Sequence, residues 1–147
     1  MIPADFIARI LPDAQECERT TSIPAAFTIA QAALESGWGT SKLFLIGCNI
    51  FGVKADKSWR GDTISMLTAE YIKGKKVIVP AKWRKYASYA ECLLDHSKFL
   101  TTNPRYKKAL TLTDPIEFAR AIQTAGYATD PKYADKLISI MKRYKLL

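Results

Sequence analysis

The stretch that most constrains this chain is residues 24–39, where a run of apolar side chains meets one carboxylate and then two glycines. Pro24, Ala25, Ala26, Phe27, Ile29, Ala30, Ala32, Ala33 and Leu34 would cover most of the circumference of a helix, the pattern of a buried central helix rather than a surface one. Gly37 and Gly39 stop it, since glycine takes the left-handed C-terminal conformation without a Cβ clash. Glu35 then sits at the end of the helix, at an open edge beside Trp38. Burial there would penalise its charged form, and a carboxylic acid still protonated near neutral pH can serve as a general acid. The same residues also suit a structural role, with Glu35 capping a neighbouring amide and Trp38 filling core.

Around this helix the chain reads as mainly helical, with one strand pair. Residues 4–19 carry Phe6, Ile7, Ile10, Leu11 and Ala14 on one face, and Pro12 kinks that helix or starts a second segment. Thr40 to Leu45 add a turn or two before Gly47, residues 48–54 are irregular or briefly extended, and residues 55–62 have turn composition around Trp59. Thr63–Ile72 and Lys76–Tyr86 are β-branched and aromatic runs joined by a short loop with Gly74, which predicts a hairpin. Pro80 makes its second strand an edge or a bulged one. Glu70, near the end of the first strand, suits a solvated position facing lysines across the hairpin.

Ser88 with Glu91 forms a capping box before an apolar stripe that Asn103-Pro104 ends, and His96 lies in that helix as a structural or surface residue. A short segment covers Arg105 to Leu110, and Asp114-Pro115 opens a helix that runs to Gly126. Asp130 caps a last helix with Pro131 in its first turn, so the tight connection between presents Tyr127 and Thr129 rigidly.

The whole chain, 147 residues with 48% hydrophobic content, has the size of one domain, residues 1–147, with one core. No segment reaches the roughly 20 apolar residues of a membrane span, and the start lacks a basic and then apolar leader, so stable membrane insertion and an encoded export signal are not expected. Three widely spaced cysteines and one histidine predict reduced thiols, no metal and no cofactor. Such a chain would be made in the cytoplasm, as a monomer. The net charge of +8 favours an anionic partner, but no nucleic-acid-binding fingerprint is present.

The string Ala-Leu-Glu-Ser-Gly-Trp-Gly, residues 33–39, resembles the catalytic-helix signature of the bacterial peptidoglycan glucosaminidases, glycoside hydrolase family 73. Two further strings agree in order. Asn49, Phe51, Gly52 and Lys54 match a cleft-lining Asn-x-Phe-Gly-x-Lys pattern, and Gly126 to Ala134 resembles the C-terminal signature whose first Tyr faces the acid. The hairpin run Thr-Ala-Glu-Tyr, residues 68–71, resembles the segment that carries the family's proposed second carboxylate. Cys48 and Trp83 depart from the pattern.

The resemblance implies an α+β, mainly α, lysozyme-like fold with a central catalytic helix and a β-hairpin lobe at about 63–86. It implies hydrolysis of β-1,4 bonds in the glycan strands of bacterial peptidoglycan, and a single such domain without leader, anchor or wall-binding repeat is expected to act at the wall after release, as a phage or prophage endolysin or a secretion-associated hydrolase. Glu35, Glu70 and Tyr127 would be catalytic. Trp38, Asn49, Phe51, Lys54, Trp59, Thr129, Asp130 and Tyr133 would bind substrate. A muramidase, a lytic transglycosylase or an inactive wall-binding module would share much of this pattern.

Overall fold

In the computed structural model, which describes residues 1–147, the apolar stretch forms the central helix α2 (Ala25–Ser36). Around it lie α1 (Pro3–Thr21), α3 (Lys42–Gly47), α4 (Tyr89–Thr102), α5 (Pro115–Thr124) and α6 (Tyr133–Arg143), with two short 3₁₀ turns between α4 and α5. Strands β1 (Thr63–Ile72) and β2 (Lys75–Arg84) make a single antiparallel hairpin. This is the mainly helical, hairpin-bearing α+β architecture expected.

Helix α2 is buried on nearly every side, and it divides the core in two. Phe27 and Ala30 pack with Phe118, Ile122, Leu137 and Met141 of α5 and α6. Ile29, Ala32 and Ala33 pack with Phe6, Ile10, Phe44 and Leu93 on the other side. Phe27 and Phe118 are both fully buried and meet edge to face at 4.7 Å. Burying each such side chain contributes roughly 1.5–3 kcal/mol, and this packing adds to the high helix propensity of a twelve-residue segment with five alanines.

Helix α1 runs on through Pro12 as one helix, so the proline does not start a second segment. Proline removes the donor to the carbonyl four residues back, here that of Ala8. Both Pro12 and Ala8 are exposed, so water can satisfy that carbonyl and the apolar face stays continuous.

The turn after α2 shows why its sequence is Gly-Trp-Gly. Gly37, Trp38 and Gly39 have φ of 57°, 57° and 77°, so three consecutive residues are left-handed. At Gly39 a Cβ would also come within 3.0 Å of the Phe44 ring. The left-handed conformation costs Trp38 about 1–2 kcal/mol. Its indole offsets this by packing edge-on against Phe6 at 5.6 Å and Tyr144 at 4.7 Å.

The hairpin pairs Thr63 with Arg84 through Ile72 with Lys75, and its two-residue turn, Lys73-Gly74, has φ of 52° and 78°. Two positive values define the type I′ turn whose twist matches the strands. The base of the lobe is stitched to residues 47–55: Ala55 N–H donates to Lys82 O, Arg84 N–H to Val53 O, and Tyr86 N–H to Gly47 O. Lys82 and Arg84 thus turn their backbone polar groups away from β1. Pro80, two residues before Lys82, lies in the same phase, so its missing N–H takes nothing from the ladder.

Helix α6 starts at Tyr133, later than the expected start at Pro131. Its first turn is capped from α5, where Gln123 Oε1 accepts from Ala134 N–H at 2.6 Å. Asp130 instead closes the preceding turn, accepting from Lys132 N–H at 2.9 Å.

Candidate active site

Glu35 emerges at the last turn of α2 into an open cleft of about 700 Å³ between the α4 wall, the 51–58 loop and the 127–129 loop. Its side chain is exposed, so the burial expected from the surrounding apolar sequence is not what prepares it. A hydrogen-bonded chain positions it instead. The Tyr133 hydroxyl donates to Glu35 Oε1 at 2.9 Å, and Gln31 Nε2 donates to the same hydroxyl at 3.0 Å. Gln31 Oε1 then faces Nε2 of His96 at 2.8 Å, which places the histidine proton on Nε2. Gln31 is fully buried and Tyr133 is 4% exposed, so the chain runs through the interior and reaches solvent only at the carboxylate. Burial, the neighbouring Tyr127 and the Glu35 charge hold the Tyr133 phenol far above its usual range, and it stays a donor.

The cleft walls combine aromatic faces with fixed charges. Phe51 stacks on His96 with centroids 3.8 Å apart, and Phe99, Tyr127, Ala128 and Thr129 continue that wall. Burial pushes the Tyr127 phenol well up, with the Glu35 charge second, so Tyr127 also remains protonated and able to donate. On the far side Arg84 donates to Asp95 Oδ2 at 2.7 Å and to Asp56 Oδ1 at 3.3 Å. The Tyr86 hydroxyl donates to the same Asp95 oxygen at 2.6 Å. Both aspartates are therefore engaged with Arg84, and Glu35 is the cleft carboxylate whose one partner is a neutral hydroxyl.

Of the expected site residues, Glu35, Phe51, Tyr127 and Thr129 line the cleft. The others do not. Trp38 lies in the core between Phe6 and Tyr144, because the left-handed turn folds it back. Asn49 is fully buried, and its amide bonds Val53 N–H, Val53 O and Arg84 O, all at 2.9 Å, so it pins the loop to the hairpin base instead of meeting sugar. Trp59 donates to Asp62 O at 2.8 Å and lies under the Arg84 guanidinium, closing its own loop. Asp130 is paired with Lys136. Tyr133 acts on Glu35, as its hydroxyl contact shows, and not on the cleft surface.

Glu70 pairs with Lys54 at 3.1 Å and has Val77 directly opposite it in the sheet, so its partner is a lysine outside the hairpin. It does not line the cleft with Glu35.

Arg84, Asp95, His96, Lys98, Phe99 and Thr102 line the cleft without having been singled out for it. A signal for the helical ones exists: positions 95, 98, 99 and 102 recur at the three- and four-residue spacing of one helix face, mixing charge, hydroxyl and aromatic where a core face would be apolar.

Replacing Tyr133 by Phe tests the positioning chain. The ring is kept, but the Gln31 donor loses its partner, a cost of about 1–3 kcal/mol. Glu35 loses its hydrogen-bonded restraint, and the expected result is a loss of about 10- to 100-fold in kcat with KM nearly unchanged. Thermal unfolding and steady-state kinetics on the purified variant measure both.

A central helix that delivers one restrained carboxylate to an open cleft beneath a β-hairpin lobe defines the class, a lysozyme-like glycoside hydrolase. Residues 11–146 match the glucosaminidase family, described as mannosyl-glycoprotein endo-beta-N-acetylglucosaminidase, and the chain belongs to that family, glycoside hydrolase family 73. It is 42% identical over 147 residues to the peptidoglycan hydrolase FlgJ of Salmonella typhimurium, covering 97% of this chain and 46% of the relative. The exo-glucosaminidase LytG of Bacillus subtilis is 39% identical, over 96% of this chain and 51% of the relative. The chain spans about half the length of these curated relatives. Among solved structures, a truncated glycoside hydrolase domain of Salmonella typhimurium FlgJ superposes with a TM-score of 0.86 at 41% identity, covering 99% of both chains. The catalytic domain of the autolysin Auto from Listeria monocytogenes gives 0.88 at 32% identity, over 98% of this chain and 85% of that one.

Proposed function

We propose that the protein hydrolyses the glycan strands of peptidoglycan as an endo-β-N-acetylglucosaminidase, cutting the β-1,4 bond on the reducing side of N-acetylglucosamine with Glu35 as general acid. The observation that carries this is the restrained Glu35 carboxylate in an open cleft of about 700 Å³, with Tyr127 and the Phe51 ring on its wall. Its relatives' names, a peptidoglycan hydrolase and a glucosaminidase, support the substrate class. The three free thiols suit synthesis in a reducing cytoplasm before release to the wall, as an endolysin or secretion-associated hydrolase would require.

In this reaction the bond from the sugar carbon to the bridging oxygen breaks as Glu35 transfers its proton to that oxygen. The oxocarbenium-like transition state needs electron density at the carbon, and the substrate's own 2-acetamido oxygen can supply it, oriented by the Tyr127 hydroxyl. Water then opens the cyclic intermediate and returns a proton to Glu35, so the anomeric configuration is retained. This one-carboxylate route is favoured because Glu70 is occupied by Lys54 outside the cleft, while Asp56 and Asp95 are held by Arg84.

Mass spectrometry of soluble fragments released from purified peptidoglycan tests the assignment. N-acetylglucosamine at the new reducing ends is expected. Muramic-acid ends would move the cut to the alternate bond, anhydro ends would mark a transglycosylase, and no fragments would leave a wall-binding module. In the same assay Glu70→Gln is expected to keep turnover within about tenfold of the parent, since its carboxylate contributes through an exposed ion pair worth about 1 kcal/mol or less. Complete loss in that variant would require Glu70 as a base that reaches the substrate when the hairpin moves.

A further inference from the structure

We propose that the outer face of the hairpin lobe docks on an anionic lipid bilayer, independently of the cleft. The sheet register places Leu67 opposite Pro80, Ala69 opposite Ile78 and Tyr71 opposite Lys76, so these six side chains share one face. Leu67, Tyr71 and Ile78 are 69%, 75% and 59% exposed there, and Ile72 at the turn is 52% exposed. The opposite face carries Ile64, Met66, Thr68, Val77 and Val79, all half-buried. The lobe therefore already has a packed face, and its second apolar face has nothing within the chain to cover it. A contiguous exposed apolar patch of this kind marks an interaction surface.

Charge selects the occupant. Lys76 and Lys82 lie on the outer face and Lys73 is in the turn at the tip, while Lys75 and the hairpin's one carboxylate, Glu70, are on the inner face, the latter paired with Lys54. A second copy of the chain would bring two lysine clusters together. An acidic polymer would satisfy the lysines but leave Leu67, Tyr71 and Ile78 in water. An anionic bilayer meets both demands, with acidic headgroups for the ammonium groups and an acyl boundary for the apolar side chains. Tyr71 suits that boundary, since its ring is apolar and its hydroxyl polar. No helix of the protein is long and apolar enough to cross a membrane, so the contact is peripheral.

The test is co-sedimentation of the whole chain with vesicles of phosphatidylcholine alone or mixed about three to one with phosphatidylglycerol, at physiological salt. Strong partition to the mixed vesicles and weak partition to the neutral ones are expected. Tyr71→Ser combined with Ile78→Ser should lower partition about tenfold or more. Lys76→Glu combined with Lys82→Glu should lower it by roughly fivefold per lysine or more. Both variants should keep an unchanged circular dichroism spectrum and parental activity on soluble glycan fragments. The proposal is overturned by equal partition to neutral and anionic vesicles, or by no partition to either. It is also overturned if the apolar pair has no effect, which would leave a polyanion contact, or if the parent forms dimers that the apolar pair dissolves.

Discussion

Glu35→Gln is expected to lower kcat by roughly 10²- to 10⁴-fold, the range that a general acid contributes, while KM stays close to the parent value. The amide is nearly isosteric, and its oxygen can still accept from the Tyr133 hydroxyl that now bonds Glu35 Oε1 at 2.9 Å. What it cannot do is give a proton to the bridging oxygen. Glu35 is exposed, so removing its charge leaves no buried group unpaired, and stability should stay within about 0.5 kcal/mol of the parent. The variant thus separates chemistry from folding. Fragment release quantified against Tyr133→Phe and Glu70→Gln should rank the three: near-complete loss at Glu35, partial loss where the carboxylate is only unrestrained, and little loss at Glu70. Turnover by Glu35→Gln comparable with the parent would remove Glu35 from the reaction.

The sequence exposed what is local. The apolar run of α2, its glycine stop, the hairpin and the Asp114-Pro115 helix start all depend on neighbours within a few residues, and all lie close to where expected. Pro12 starts no second segment, because its effect depends on which side of the helix faces water, a property of the assembled fold. The same holds for Glu35, whose apolar neighbours suggest burial although the helix end opens on a cleft. A motif records which residue types a place needs, but not whether the need is chemical or conformational. Asn49 sits in its string because a loop needs its buried amide, and Trp38 in its own because the core between Phe6 and Tyr144 takes its indole, and neither lines the cleft. Tyr133 meets Glu35 across 98 positions and His96 meets Gln31 across 65, pairings that no local pattern encodes.

The second large effect concerns that last pairing. His96 is 8% exposed, stacked between Phe51 and Phe99 with Tyr127 edge-on, and burial pushes its pKa from 6.5 down to about 4, while the charge of Asp95 works weakly the other way. The folded state therefore resists a proton that the unfolded chain accepts. The stability contributed by neutral His96 is complete above pH 6.5 and is lost as pH falls from there through 4. The loss reaches about 3 kcal/mol, since each pKa unit is worth about 1.4 kcal/mol.

Urea unfolding at a series of pH values should show that slope, and because His96 is the only histidine, its ring proton resonance can be titrated without assignment ambiguity. A titration midpoint near 6.5 with a flat stability profile would overturn the account. Nε2 donates to Gln31 whether or not Nδ1 is protonated, so acid acts through a desolvated charge and not through reversal of the chain to Glu35. His96→Asn keeps a donor in place of the ring N–H and removes the charge. It should flatten the slope between pH 6.5 and 4 whatever its absolute stability, whereas Tyr133→Phe, which breaks the same chain one link further on, should leave the slope intact.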